Sequence, residues 1–157
     1  MSKPTIGFRL FRDGAKMPTR ATTHAAGWDL YAWVENNGVV EIAPHKTVLV
    51  KTGLNVELPI GYEMSVRPRS GLAIKNNLTI LNSPGLIDCD YSNVGEEFEI
   101  RVVLHNADDK LTQFIKHGDR IAQATFHEVP DVDVVELDRD VIPHESNRAG
   151  GFGSTGI

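Results

Sequence analysis

Three oxygen-bearing side chains that could handle a proton fall within four positions of one another, at Asp88, Asp90 and Tyr91 in Leu86-Ile87-Asp88-Cys89-Asp90-Tyr91, directly after the turn-prone Asn82-Ser83-Pro84-Gly85. A carboxylate at a strand end can take a proton from water, although an aspartate in a turn can also serve only as an acceptor of backbone amides. A second cluster, Arg67-Pro68-Arg69-Ser70-Gly71, sets two cations before the start of a helix, where free amides and the positive dipole end favour an anion. The same residues would also serve as a surface arginine pair beside a serine cap. The third cluster closes the sequence: Gly150, Gly151, Gly153 and Gly156 surround Phe152, Ser154 and Thr155. Successive glycine amides and two hydroxyls can wrap phosphate oxygens unobstructed, and the large ring of Phe152 has nothing local to bury it. Composition alone would read this stretch as a disordered end.

Other chemistries are excluded by spacing. Gly151 to Gly156 satisfies G-x-G-x-x-G without the strand and helix a dinucleotide fingerprint needs, and Ile157 stands where a Walker A lysine would be required. His127-Glu128 opens like a zinc-protease helix, but position 131 is Asp rather than His. Asp131 and Asp133 lack the glycine and spacing of a calcium loop and read as a solvated strand face. The single cysteine, Cys89, forms no thiolate metal cluster and is expected to point away from Asp88 as a structural residue.

These residues need a scaffold, and the periodicity is that of strands. Phe98, Ile100, Val102 and Leu104 alternate with Glu99 and Arg101, which predicts a half-buried strand with both charged residues on its open face. Similar alternation predicts strands at Thr47–Val50, Leu54–Leu58, Tyr62–Arg67 and Ile121–Phe126, punctuated by turn signals at Asn36-Asn37-Gly38, Pro59-Ile60-Gly61 and His117-Gly118-Asp119. One short helix is predicted from Ser70, with Leu72, Ala73 and Ile74 packed inward and Asn76-Asn77 as its stop. An all-β sandwich, jelly roll or barrel follows. At 157 residues the chain is one domain's worth of protein. A net charge of −5 argues against a dedicated nucleic-acid binder. Met1 to Thr5 lacks a signal core and no run approaches the ~18 apolar residues of a membrane span, so a soluble, cytoplasmic protein is expected.

Taken together, five segments resemble, in order and spacing, the trimeric deoxyuridine triphosphatase (dUTPase) family: Ala26-Gly27-Trp28-Asp29-Leu30-Tyr31-Ala32, Arg67 to Leu72, Asn82 to Tyr91, Gly118-Asp119-Arg120-Ile121-Ala122-Gln123, and Gly150 to Gly156. The resemblance implies a jelly-roll-like β-barrel over residues 1–143, a glycine-rich arm over 144–157 that closes on an active site, and a homotrimer with active sites shared between subunits. It implies hydrolysis of dUTP to dUMP and pyrophosphate, with dUTP removed and dUMP supplied for dTTP synthesis. By the same resemblance, Asp88 is the general base acting on water. Asn82, Gly85 and Ile87 belong to the hairpin that reads uracil, and the Tyr91 ring packs on the deoxyribose. Arg69, Ser70, Gly71 and Gln123 are implied to hold phosphate, Arg148 the γ-phosphate, Gly153, Ser154 and Thr155 the phosphates under the lid, and Phe152 to stack on uracil. Mg²⁺ is the implied cofactor, with Asp29 reaching it through water.

Two features depart from the family pattern. The family's D-Y-x-G-E becomes Tyr91-Ser92-Asn93-Val94-Gly95-Glu96, two residues longer, which predicts a bulged turn. Arg148 stands four residues before Phe152, where the family's arginine stands five before. Two rival functions share the fold: a dCTP deaminase, alone or bifunctional with dUTPase, against which the I-D-x-D-Y segment argues, and a phage-type regulatory dUTPase acting through a protein partner.

Overall fold

The computed structural model describes residues 3–138. Along them run β1 (Gly7–Leu10), β2 (Trp28–Tyr31), β3 (Val39–Ile42), β4 (Thr47–Lys51), β5 (Leu54–Glu57), β6 (Tyr62–Arg67), α1 (Ser70–Asn76), β7 (Leu78–Ile80), β8 (Gly85–Ile87), β9 (Arg101–Asn106), β10 (Gln113–Lys116) and β11 (Arg120–Glu128). All strand pairs are antiparallel, and they form sheets in the orders β2-β11-β6-β8, β4-β9-β7, β1-β5 and β10-β3. The all-β expectation holds, with hydrogen bonding divided among four sheets rather than run as one closed ladder. No helix among the described residues is long and apolar enough to cross a membrane.

Period-2 burial is clearest in β9, where Val102 and Leu104 enter the core beside Val50 and Ile80. Asn106 completes the same face, and its burial is tolerated because its amide donates to the carbonyls of Ile42 and Leu111 while its oxygen accepts from Asp108 N. Met64, Ser65 and Val66 in β6 are buried together, as expected of a strand flanked on both edges by β11 and β8.

Several predicted details change. The strand expected from Phe98 begins at Arg101, because Glu96–Phe98 forms a 3-10 turn. Glu99, expected on an open face, is buried: its carboxylate accepts from Arg12 Nε and from Gly53 N, so an ion pair and a backbone amide replace water. The helix occupies the predicted span and ends at left-handed Asn77, but it has no side-chain cap hydrogen bond and no fully buried residue. Only Leu72 packs on the core, while Ile74 is 82% exposed. Asp131 and Asp133 are exposed and lie past the end of β11, outside any strand.

Candidate active site

Strand register builds the first cluster. In the four-stranded sheet Asp29 of β2 faces Gln123 of β11, which on its other edge faces Arg67 of β6. Asp29 is 8% exposed and both its oxygens are engaged: Arg69 Nε donates to Oδ1 at 2.8 Å and Arg120 Nη1 to Oδ2 at 3.3 Å. Arg69 Nη1 also donates to the Arg120 carbonyl at 3.1 Å, so the turn leaving β6 is stitched to the start of β11. Gln123 Nε2 donates to the Pro68 carbonyl at 2.8 Å and adds a second stitch. Gln123 crosses Gly27 so closely that a Cβ there would stand 3.2 Å from Gln123 Cβ and collide with Oε1. A cleft of about 290 Å³ lies over these groups, lined by Gly27, Asp29, Arg69, Ser70, Gly71 and Gln123. Two guanidiniums held by one buried carboxylate, beside the exposed Ser70 hydroxyl, suit a polyanion.

The second cluster grows from the sheet's edge. Val66 in β6 pairs with Gly85, which fixes β8 and the turn that precedes it. Beyond β8, Asp88 is extended (φ −82°, ψ 162°), its carbonyl accepting from Tyr91 N at 3.1 Å to start the 3-10 turn Cys89–Tyr91. The Asp88 carboxylate is exposed and makes no hydrogen bond or ion pair with any described residue. Asn82, Gly85, Ile87, Asp88 and Tyr91 line a cleft of about 360 Å³, within the size range of small-molecule sites. The Tyr91 hydroxyl donates toward the carbonyls of Glu97 (2.9 Å) and Glu99 (3.3 Å), and its ring meets Phe98 edge to face at 5.5 Å. Cys89 is half-buried against the core, with its sulfur 3.9 Å from Asp90 Oδ1.

Thus the structure brings Asp29, Arg69, Ser70, Gly71 and Gln123 together in one cleft, and Asn82, Gly85, Ile87, Asp88 and Tyr91 in another; the two clefts share no lining residue. Arg148, Phe152, Gly153, Ser154 and Thr155 lie outside the described residues. Among the described residues no group of three or more His, Cys, Asp or Glu side chains could hold a metal directly. Asp29 is the carboxylate among the residues lining the phosphate-suited cleft. Sequence reasoning missed Arg120 and Gly27 as parts of the first cluster. Both sit inside quoted segments, and the missing signal is the facing of β2 and β11, which is a tertiary property.

Comparison with known proteins gives the family. A sequence model described as dUTPase matches residues 13–156. The deoxyuridine 5'-triphosphate nucleotidohydrolase of Hydrogenobaculum sp. is 46% identical over 146 residues, covering 93% of this chain and 94% of that protein. The crystal structure of dUTPase from Streptococcus mutans superposes with a TM-score of 0.72 at 32% identity, covering 82% of this chain and 99% of that one. A Staphylococcus bacteriophage 80alpha dUTPase (G164S, with dUpNHpp) shares the fold at a TM-score of 0.82 and 23% identity, covering 98% and 99%. The fold is accordingly the jelly-roll-like one of these structures, and the chain belongs to the dUTPase family.

Proposed function

We propose that the protein hydrolyses dUTP to dUMP and pyrophosphate, with Asp88 as the general base. The observation that carries this reading is the exposed Asp88 carboxylate, unpaired among the described residues, at a cleft shared with Tyr91 and the Asn82–Ile87 hairpin. A carboxylate free of cationic partners keeps its lone pairs for water, and positioned proton transfer of this kind contributes roughly 10²- to 10⁴-fold in rate. The hairpin would read uracil by its donors and acceptors, refusing cytosine by leaving buried polar groups unpaired and thymine by its methyl. Tyr91 would pack on the sugar and exclude a 2′-hydroxyl.

The phosphates would run to Arg69, Ser70, Gly71 and Gln123. Those residues occupy a different cleft from Asp88 in the same chain, which supports a site completed between copies in a homotrimer. Mg²⁺ would supply charge neutralisation on the triphosphate. Asp29 would hold its water while keeping Arg69 and Arg120 in place. Residues 144–157 would close over the nucleotide, with Phe152 on the base and Arg148, Gly153, Ser154 and Thr155 on the phosphates, excluding water from the reacting centre. The role that follows is removal of dUTP and supply of dUMP for dTTP synthesis, in the cytoplasm. Pyrophosphate release measured with dUTP, dCTP, dTTP and UTP in turn tests it: turnover of dUTP alone is expected, whereas release of ammonia or dUMP from dCTP would assign a deaminase instead.

A further inference from the structure

The lengthened turn after Tyr91 and the Gly95-Glu96 pair that ends it are fastened to the body of the domain. Leu58 N donates to Ser92 Oγ at 2.9 Å, and the Asn55 side-chain amide donates to the Gly95 carbonyl at 3.0 Å. Arg101 Nη2 donates to the Glu96 carbonyl at 2.7 Å. The Glu96 carboxylate accepts from Arg12 Nη2 at 2.7 Å and from Lys51 Nζ at 2.9 Å. Arg12 also pairs with the fully buried Glu99 carboxylate, through Nε and Nη2 at 3.0 Å each, while its guanidinium stacks on the rings of Phe11 and Trp33 at 4.9 and 4.7 Å. One rigid guanidinium thus joins an exposed loop to a buried anchor, a geometry Lys could not reproduce.

What the loop holds in turn is Tyr91. A phenol has one proton to donate, and here it is shared between the carbonyls of Glu97 and Glu99, on either side of Phe98, whose ring packs against the tyrosine. Glu99 is fixed by burial, whereas Glu97 is exposed in the 3-10 turn Glu96–Phe98, and the side chain that ties this turn to Arg12 and Lys51 is that of its neighbour Glu96. We propose that Glu96, Arg12 and Lys51 form a clamp that positions the Tyr91 ring, and that the refusal of a 2′-hydroxyl depends on this clamp. The inference rests on the reading of Tyr91 as the sugar-facing residue. Glu96 is a positioning residue: it acts through the loop and does not line the cleft.

The test compares kcat and KM for dUTP and UTP in the full-length protein and in Glu96→Ala, Tyr91→Phe, their double variant, and Tyr91→Ala. Glu96→Ala is expected to raise KM for dUTP more than it lowers kcat, and to cut the dUTP-over-UTP preference about tenfold. Tyr91→Phe, which deletes only the tethered hydroxyl, should do the same, and the double variant should go no further than either single one, since both remove one tether. Lys51→Met, which removes one partner of Glu96, gives a smaller shift in the same direction if Glu96→Ala does not fold. An unchanged preference in Glu96→Ala or Lys51→Met, with Tyr91→Ala relaxed toward UTP, overturns the clamp and leaves the sugar-facing role of Tyr91 standing. An unchanged preference in Tyr91→Ala overturns both.

Discussion

At the scale of single residues, the phosphate-side cleft depends on close approaches. Gln123 can donate to Pro68 O only because position 27 carries no side chain. A methyl at 27 would collide with the movable amide end of Gln123 and press on its Cβ at 3.2 Å, a contact that a shift of a few tenths of an ångström relieves, so the fold can absorb it while the Gln123 amide cannot keep its place. Gly27→Ala is therefore expected to lower stability by only about 1 kcal/mol, roughly the net worth of one hydrogen bond. It should nevertheless raise KM for dUTP severalfold. Thermal melts and steady-state kinetics on one preparation check the split, and a variant that loses its fold together with its affinity would show Gly27 to be a packing residue only. Residue identities here were legible one segment at a time. Asp29, Arg69 and Gln123 stand out as polar groups in quoted segments, but that Asp29 is held by two arginines follows from the pairing of β2 with β11, which no local pattern specifies.

At the scale of elements, most strands follow from alternation and turn chemistry, and the exception shows why pattern alone falls short. Alternation in Phe98–Leu104 is genuine from Ile100 onward, but a period-2 reading assigns Glu99 to water, and its burial is made possible by Arg12, 87 residues away, together with the Gly53 amide. The 3-10 turn that delays β9 to Arg101 is thus followed by a residue whose burial depends on a long-range ion pair. That pairing also has a pH signature at Glu96, whose carboxyl is pulled from its ordinary 4.5 down to about 2, first by the hydrogen bond from Lys51 and then by that from Arg12. A depressed carboxylate contributes stability above its unfolded value and loses it as the folded group protonates. The difference in Tm between the wild type and Glu96→Gln should therefore be full above pH 4.5 and shrink steadily as the pH falls toward 2. A difference independent of pH would assign the effect to packing rather than to charge. Helix α1 gives the complementary lesson: its span was readable from Ser70 and Asn77, but which side chains it buries was not. A seven-residue helix over an existing sheet seats one residue, Leu72, and leaves Ile74 in solvent.

At the scale of the whole molecule, the separation of the two clefts matters most. The proposed base lines one cleft and the phosphate-suited groups another, with no lining residue in common, and the proposed homotrimer would join them by bringing one copy's cradle to the next copy's base. Sequence order gave the segments but not this division, because it arises from where β8 and β11 leave the same sheet. The most direct test is complementation. Asp88→Asn and Arg69→Ala would be purified separately and after co-expression, and pyrophosphate release from dUTP measured for each preparation. Neither variant alone should turn over dUTP appreciably. Random mixed assembly in a cyclic trimer leaves about one site in four with both groups intact, so the co-expressed protein should recover about a quarter of wild-type activity. A co-expressed preparation no more active than its parts would contradict a shared site, and an Asp88→Asn protein that still hydrolyses dUTP at the wild-type rate would remove Asp88 from the chemistry.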